Sequence, residues 1–221
     1  MKLEVKQIEK HFGSRPILTN VNIHLQTGET VGIFGRNGCG KSTLMKVLFG
    51  TIKATASSVF LDNTQFHPRA NISRKLIAYL PQVSFLPLDM KVRNLIQMIF
   101  SDGETQNHIF YAPGVALFEN QKVGSLSLGT LKYLEFLLIA NMDHPFLMLD
   151  EPFSMIDPLF HEIIKNIIVS QLTTKAILIT DHYYTDVWDV TQRNYVLANG
   201  ATLPVRSQVE LATYGYLPIR S

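Results

Sequence analysis

An α/β fold on a mostly parallel sheet is predicted by three features of the 221-residue chain. The first is a glycine-rich loop, residues 35–43, set between a short β-rich run and a helical stretch. The second is a series of compact apolar runs, Val31–Phe34, Phe146–Leu149 and Ala176–Thr180, of the kind that form parallel strands buried on both faces. Helical stretches separate them, notably Leu131–Met142 and Leu159–Gln171. The third is a different pattern near the N-terminus. Residues 3–9 and 21–25 alternate apolar and polar side chains, which predicts antiparallel strands with one open face.

The loop reads Gly35-Arg36-Asn37-Gly38-Cys39-Gly40-Lys41-Ser42-Thr43, a complete G-x-x-x-x-G-K-[ST] pattern. Its glycines let the backbone fold tightly, so that successive N–H groups converge on one anion. Lys41 then reaches the β- and γ-phosphates of a nucleotide, and the Ser42 hydroxyl is placed to ligate Mg²⁺. Glu29–Phe34 reads as the strand entering the loop. Lys41–Leu48 reads as the helix leaving it, with Gly50 placed to end it. The helix dipole adds to phosphate binding. At typical residue frequencies the four fixed positions arise in roughly one chain in a hundred, so the flanking strand and helix carry much of the weight.

Between the loop and the later strands, residues 83–125 change character. Lys91–Phe100 is predicted helical, Ser101–His108 is a polar stretch, and Pro113-Gly114 marks a turn. This segment reads as a small, mostly helical insertion, spanning about 83–142 once the following helix is included, within one domain over 1–221.

Composition excludes several classes. An apolar content of 46% with 17% charged residues describes a core-forming globular chain. Twenty basic against eighteen acidic residues give +2, and without a Lys/Arg cluster this argues against a nucleic-acid partner. A single cysteine excludes a disulfide framework and a four-cysteine zinc site. No apolar run approaches the 18 or so residues that span a bilayer, and the start lacks a signal-peptide pattern, so no direct membrane insertion is expected. The mean hydropathy of +0.11 suits either a subunit with a covered face or a sheet buried on both sides.

Further along, Phe146-Leu147-Met148-Leu149-Asp150-Glu151-Pro152 is an apolar strand that delivers two carboxylates to one end. Asp150 there is suited to hold Mg²⁺, directly or through water, and Glu151 to polarise an attacking water. Four more elements follow a fixed order in the chain. They are Tyr79-Leu80-Pro81-Gln82, Leu126-Ser127-Leu128-Gly129-Thr130, Ser154-Met155-Ile156-Asp157 and Ile179-Thr180-Asp181-His182.

Together these motifs resemble the ATP-binding cassette (ABC) ATPase family along essentially the whole chain. The resemblance implies a P-loop NTPase core with a mostly parallel sheet, an N-terminal antiparallel β subdomain and a small helical subdomain. It also implies that Phe12, in Lys10-His11-Phe12-Gly13, stacks on adenine, where the family more often has Tyr. Gln82 would complete the Mg²⁺ environment, and His182 would hold the γ-phosphate and help position water relative to Glu151. Asp157 would contact the phosphate loop across a dimer interface, while Ser127 and Gly129 would serve the γ-phosphate site of the opposite subunit. Two such cassettes sandwich two ATP molecules, so a second ABC ATPase subunit, identical or not, is an expected partner.

The family usually reads Leu-Ser-Gly-Gly-Gln at positions 126–130, and this chain departs from it. Leu128 stands where a glycine is usual, and Thr130 replaces an amide side chain. If position 128 needs a positive φ or close contact with phosphate, Leu128 weakens trans activation of hydrolysis. The 83–125 lobe also looks shortened, which implies an unusual docking surface. Cys39 has two readings: a small residue filling the loop, or a thiol of lowered pKa beside Lys41 and a helix N-terminus.

The function implied is that of a cytoplasmic ATPase subunit, peripheral on the inner face of the membrane, driving a separate membrane-spanning permease. The Ile179–His182 wording and the short end are most similar to compact bacterial cassettes serving lipopolysaccharide or amino-acid systems. Two rival readings are a soluble ABC ATPase acting as an assembly or mechanical switch, and an ATP-holding cassette that hydrolyses little.

Overall fold

The computed structural model describes residues 1–214 and 216. The N-terminal alternation builds an antiparallel sheet. Strand β1 (Lys2–Phe12) pairs with β2 (Arg15–Leu18), with β3 (Ile23–Gln26) and with β5 (Ala56–Leu61), whose other edge carries β6 (Thr64–Gln65). Leu3 and Val5 turn inward beside the exposed or half-exposed Lys2, Glu4 and Lys6, as a one-sided sheet requires.

The glycine-rich loop joins β4 (Thr30–Phe34) to α1 (Lys41–Phe49). Gly50 ends this helix at φ 98°, its N–H bonding the carbonyls of Lys46 and Val47. A side chain there would also sit 2.5 Å from the Pro68 carbonyl oxygen. The short α2 (Asn71–Arg74) then leads into β7 (Ile77–Leu80). Helices α3 (Val92–Ile99), α4 (Gly103–Phe110) and α5 (Leu128–Ala140) follow before the chain returns to the sheet as β8 (Phe146–Asp150). After α6 (His161–Gln171) come β9 (Ala176–Thr180), α7 (Tyr184–Val190), β10 (Arg193–Ala198), β11 (Ala201–Val205) and α8 (Gln208–Thr213).

The second sheet has the order β11-β10-β4-β9-β8-β7. Every neighbouring pair is parallel except β10 with β11, a hairpin turning at Asn199-Gly200. Its central strands are apolar throughout because successive residues serve two different cores. Leu147, Leu149, Ile177 and Ile179 face α5 and the helical segment. Phe146, Met148, Ala176 and Leu178 face α1 and the antiparallel sheet. Both faces are covered, as one of the two readings of the positive hydropathy requires.

The helical segment fills in two places that the sequence left open. Ser101–His108, read as a polar stretch within a mostly helical insertion, is largely α4. Asp102 caps this helix, accepting the Thr105 N–H at 2.7 Å, and Ile109 supplies the buried anchor. Helix α5 begins at Leu128, three residues earlier than expected, because the Ser127 hydroxyl caps it by accepting the Thr130 N–H at 3.2 Å.

Candidate active site

Parallel strands place their C-terminal ends at one edge of the sheet, and the loops leaving β4, β7, β8 and β9 meet there. They surround a cleft of about 520 Å³ lined by Asn37, Gly38, Gly40, Lys41, Ser42, Thr43, Gln82, Glu151 and His182, with Arg15 and Ile17 from the antiparallel sheet. A cleft of this size suits a nucleotide-sized ligand. The phosphate loop, Gln82, Glu151 and His182, spread over about 150 residues of sequence, converge here.

The loop is tightly wound. A side chain at Gly35 would lie 2.6 Å from Cys39 Sγ and 2.8 Å from the Leu197 carbonyl oxygen, so the bend leaves room for hydrogen only. Lys41 is almost fully buried, its ammonium donating to the Gly35 carbonyl at 2.6 Å and to that of Arg36 at 3.3 Å. The cation is thereby folded over the loop, beside the amides that would cradle phosphate.

Cys39 is half-buried, and desolvation raises its thiol pKa despite the opposing pull of Lys41. This corrects the reading of a lowered pKa: burial outweighs the nearby cation. Cys39 instead fills the space against Gly35, as the small-residue reading has it.

Asp150 ends β8 almost fully buried. Its carboxylate accepts the Tyr79 hydroxyl at 3.1 Å and the Thr180 hydroxyl at 3.4 Å, and it also bonds the Ser42 side chain. Burial is the largest influence on its pKa, raising it, and the neighbouring Glu151 adds to this; the hydroxyl donors oppose them. Tyr79 in turn has its own ionisation suppressed, by burial first and then by the Asp150 charge.

Glu151 adopts φ 61°, a left-handed conformation that costs about 1–2 kcal/mol for a non-glycine residue. Its backbone is fixed by an N–H bond to the Thr180 carbonyl at 2.7 Å. The turn aims the carboxylate into the cleft, where Oε2 accepts Gln82 Nε2 at 2.8 Å and Oε1 lies 2.9 Å from His182 Nε2. Three motifs distant in sequence thus meet on one carboxylate.

Asp181 is buried beneath them. It accepts N–H bonds from Phe153 at 2.7 Å and Tyr183 at 3.0 Å and the Ser154 hydroxyl at 3.0 Å, tying the segment after Glu151 to the segment carrying His182. Burial dominates its pKa and raises it.

The remaining expected residues do not line the cleft. Phe12 is 51% exposed beside the β1–β2 turn, with the Lys10 ammonium 4.6 Å from its ring centre. Ser127 caps α5, and Gly129 lies on the backbone of 155–157, where a side chain would approach the Met155 oxygen to 2.9 Å. Asp157 caps the next helical turn by accepting the Leu159 N–H at 3.0 Å. Leu128 has ordinary helical backbone and is 51% exposed, so a positive φ is not what position 128 requires.

Sequence reasoning missed Arg15, Tyr79 and Thr180 as contributors, and it missed Glu135. This fully buried carboxylate in α5 accepts the Phe85 N–H at 3.0 Å. A lone acid inside Leu131-Lys132-Tyr133-Leu134-Glu135-Phe136-Leu137 is a signal that could have found it.

No group of three or more His, Cys, Asp or Glu side chains suited to a metal ion occurs among the described residues. The donors at hand are the oxygens of Ser42, Asp150 and Gln82, hard ligands of the kind Mg²⁺ takes while keeping waters and substrate phosphates. No helix among the described residues is long and apolar enough to cross a membrane.

Residues 18–154 match the ABC transporter family. A relative from Azorhizobium caulinodans, named a probable ABC transporter ATP-binding protein, is 29% identical over 208 residues, covering 89% of this chain and 74% of the relative. The lipopolysaccharide export system ATP-binding protein LptB of Acidithiobacillus ferridurans is 27% identical over 95% of this chain and 91% of its own length. Nod factor export ATP-binding protein I of Burkholderia pseudomallei is 30% identical over 90% of this chain and 68% of its own. Among solved structures, an ATP-binding subunit of an ABC transporter superposes with TM-score 0.84 at 19% identity, covering 98% of this chain and 94% of that one. A nucleotide-free ATP-binding cassette from an ABC transporter gives 0.81 at 24% identity, over 99% and 96%. At these identities the two structures show the shared fold.

Proposed function

The chain belongs to the ABC transporter family as an ATP-binding, ATP-hydrolysing subunit, and from that premise we propose how its residues divide the work. The observation that carries the proposal is the Glu151 carboxylate, held between Gln82 and His182 at the mouth of the phosphate loop.

The amides of 37–40 and the Lys41 ammonium bind the β- and γ-phosphates, Lys41 exchanging its bonds to Gly35 and Arg36 for phosphate oxygens. Ser42 and Asp150 hold Mg²⁺, with the Gln82 amide oxygen beside them, since the Gln82 nitrogen is the atom committed to Glu151. The ion, when bound, neutralises charge on the transferring phosphoryl group. Glu151 takes a proton from water as the water oxygen attacks the γ-phosphorus and ADP departs. His182, with Nε2 protonated, orients the Glu151 carboxylate and then the γ-phosphate. Phe12, open on the surface, stacks on adenine.

Ser127, Gly129 and Asp157 lie outside the cleft, which supports their acting across a dimer interface on the site of a second ABC ATPase subunit. Closure of that dimer around ATP, and reopening after hydrolysis, drives a membrane-spanning permease. The subunit then sits on the cytoplasmic face of the membrane, as a peripheral protein. Relatives named for lipopolysaccharide and Nod factor export support the transporter reading over a soluble switch.

The experiment is affinity capture of tagged Glu151→Gln protein from detergent-solubilised membranes with ATP and Mg²⁺. Recovery of a multi-spanning membrane subunit supports the reading. Recovery of soluble partners alone overturns it.

A further inference from the structure

Glu135 and Lys132 stand one helical turn apart on α5, both withdrawn from water, and neither lines the cleft. Glu135 is fully buried inside an otherwise apolar helix face. A buried carboxylate is costly unless its oxygens are satisfied, and here each one is. Oε1 accepts the Phe85 N–H at 3.0 Å, while Oε2 accepts the Lys132 ammonium at 3.1 Å and the Ser84 hydroxyl at 3.4 Å. Lys132 then donates to the Gln82 carbonyl oxygen at 2.7 Å. Every contact outside the pair goes to residues 82–85, the segment whose first side chain holds Glu151 at 2.8 Å.

A continuous polar path therefore runs from α5 through Lys132 and Glu135 to the backbone of 82–85, and through the Gln82 amide to Glu151. We propose that Glu135 and Lys132 are positioning residues for hydrolysis, fixing the 82–85 segment to α5 so that Gln82 holds Glu151 in its reactive orientation. The inference rests on the role assigned above to Glu151. The same helix begins with Ser127 and Gly129, so any shift of α5 is passed through these bonds to the carboxylate. Residues 82–85 otherwise expose Gln82, Val83, Ser84 and Phe85 to solvent, and a segment so exposed needs such an anchor to hold a side chain in place.

The test compares ATP turnover and ATP affinity of the full chain in wild type, Glu135→Ala, Glu135→Gln and the charge-neutral double variant Lys132→Met/Glu135→Gln. Rates are normalised to the fraction that binds ATP. A positioning role predicts that kcat falls about tenfold or more in Glu135→Ala and in the double variant while KM for ATP stays within about twofold. Glu135→Gln should recover part of the rate, because its amide oxygen still accepts the Phe85 N–H. Hydrogen exchange of the 83–88 peptide should accelerate in Glu135→Ala with little change at 35–43; this is read even if that variant turns over too slowly to assay.

Unchanged kcat per ATP-binding site in Glu135→Ala and the double variant overturns the proposal, as does unchanged exchange at 83–88. So does a loss shared equally by kcat and ATP affinity, which marks general destabilisation. Wild type beside Glu151→Gln separates the two levels of argument. If Glu151→Gln turns over like wild type, the assignment of Glu151 itself fails, and with it this inference. If Glu151→Gln is inactive while Glu135→Ala is not, only the positioning role fails.

Discussion

Oε1 of Glu151, one residue past β8, lies 2.9 Å from Nε2 of His182, two residues past β9. The pairing follows from sheet order: β8 and β9 are parallel neighbours in register from Phe146↔Ala176 to Asp150↔Thr180, so the residues just beyond both strands emerge side by side. Removing either partner should therefore affect turnover more than binding. Glu151→Gln is expected to lower kcat about 100-fold or more and His182→Ala about 10- to 100-fold, with ATP affinity within about threefold of wild type. A phosphate-release assay beside equilibrium ATP binding checks both, and full activity in Glu151→Gln would falsify the assignment.

Position 128 tests the proposed action of one subunit on the site of another. Leu128 opens α5 with its side chain out in solvent, where a facing subunit would meet it. Leu128→Gly should raise turnover severalfold at a stability cost of at most about 1 kcal/mol. An unchanged or lower rate, measured at protein concentrations that favour dimers, removes the argument that this leucine slows hydrolysis.

Gly129 is constrained by space. A methyl group there would come within 2.9 Å of the Met155 carbonyl oxygen, a backbone atom with little freedom to yield. Gly129→Ala should lower stability by about 1–3 kcal/mol, readable as a drop in the urea midpoint. A midpoint within error of wild type would show that α5 moves away freely.

Lys175 titrates where ordinary lysines do not. Burial pushes its pKa down from 10.5 to about 8, while its ammonium donates to the Ala140 and Met142 carbonyls, each at 2.6 Å. Between about pH 8 and 10.5 the folded chain binds fewer protons at this site than the unfolded one, so its contribution to stability improves with rising pH. Below about pH 8 the cost of burying the charge is fully present. Denaturation from pH 7.5 to 9.5 should show wild type gaining stability relative to Lys175→Met across that interval. Parallel pH dependence in the two proteins would count against the burial argument.

Cys39 should react slowly. With its thiol pKa raised by burial, maleimide labelling near pH 7 should lag behind that of a free thiol, speed up toward pH 9, and slow further with ATP present. Cys39→Ser should keep ATP binding. Labelling as fast as free cysteine at pH 7 would reinstate an activated thiol.

The features legible in the sequence are those with a local physical cause. The phosphate loop needs glycines where the backbone doubles back, so Gly35–Thr43 could be read from the local pattern together with the strand and helix that flank it. Strands β4, β8 and β9 were legible because burial on both faces demands unbroken apolar runs. The apolar run ending in Asp150 and Glu151 marked those two carboxylates, while the pairing with His182 was implied by the family resemblance. Within the helical insertion the bounds of α4 were not legible, since its amphipathic signal is one buried isoleucine and its cap lies among other polar residues.

Tertiary structure alone decided which groups share water-free space. The thiol of Cys39 is raised by packing that its neighbours in sequence do not reveal, against the local expectation set by Lys41. Tyr79 meets Asp150 because β7 pairs beside β8, and Glu135 reaches Phe85 because α5 packs under the loop that follows β7. Desolvation and long-range hydrogen bonds depend on strand order and helix docking, which no window of a few residues contains. Periodicity and backbone geometry are short-range, and they are what the chain determined by itself.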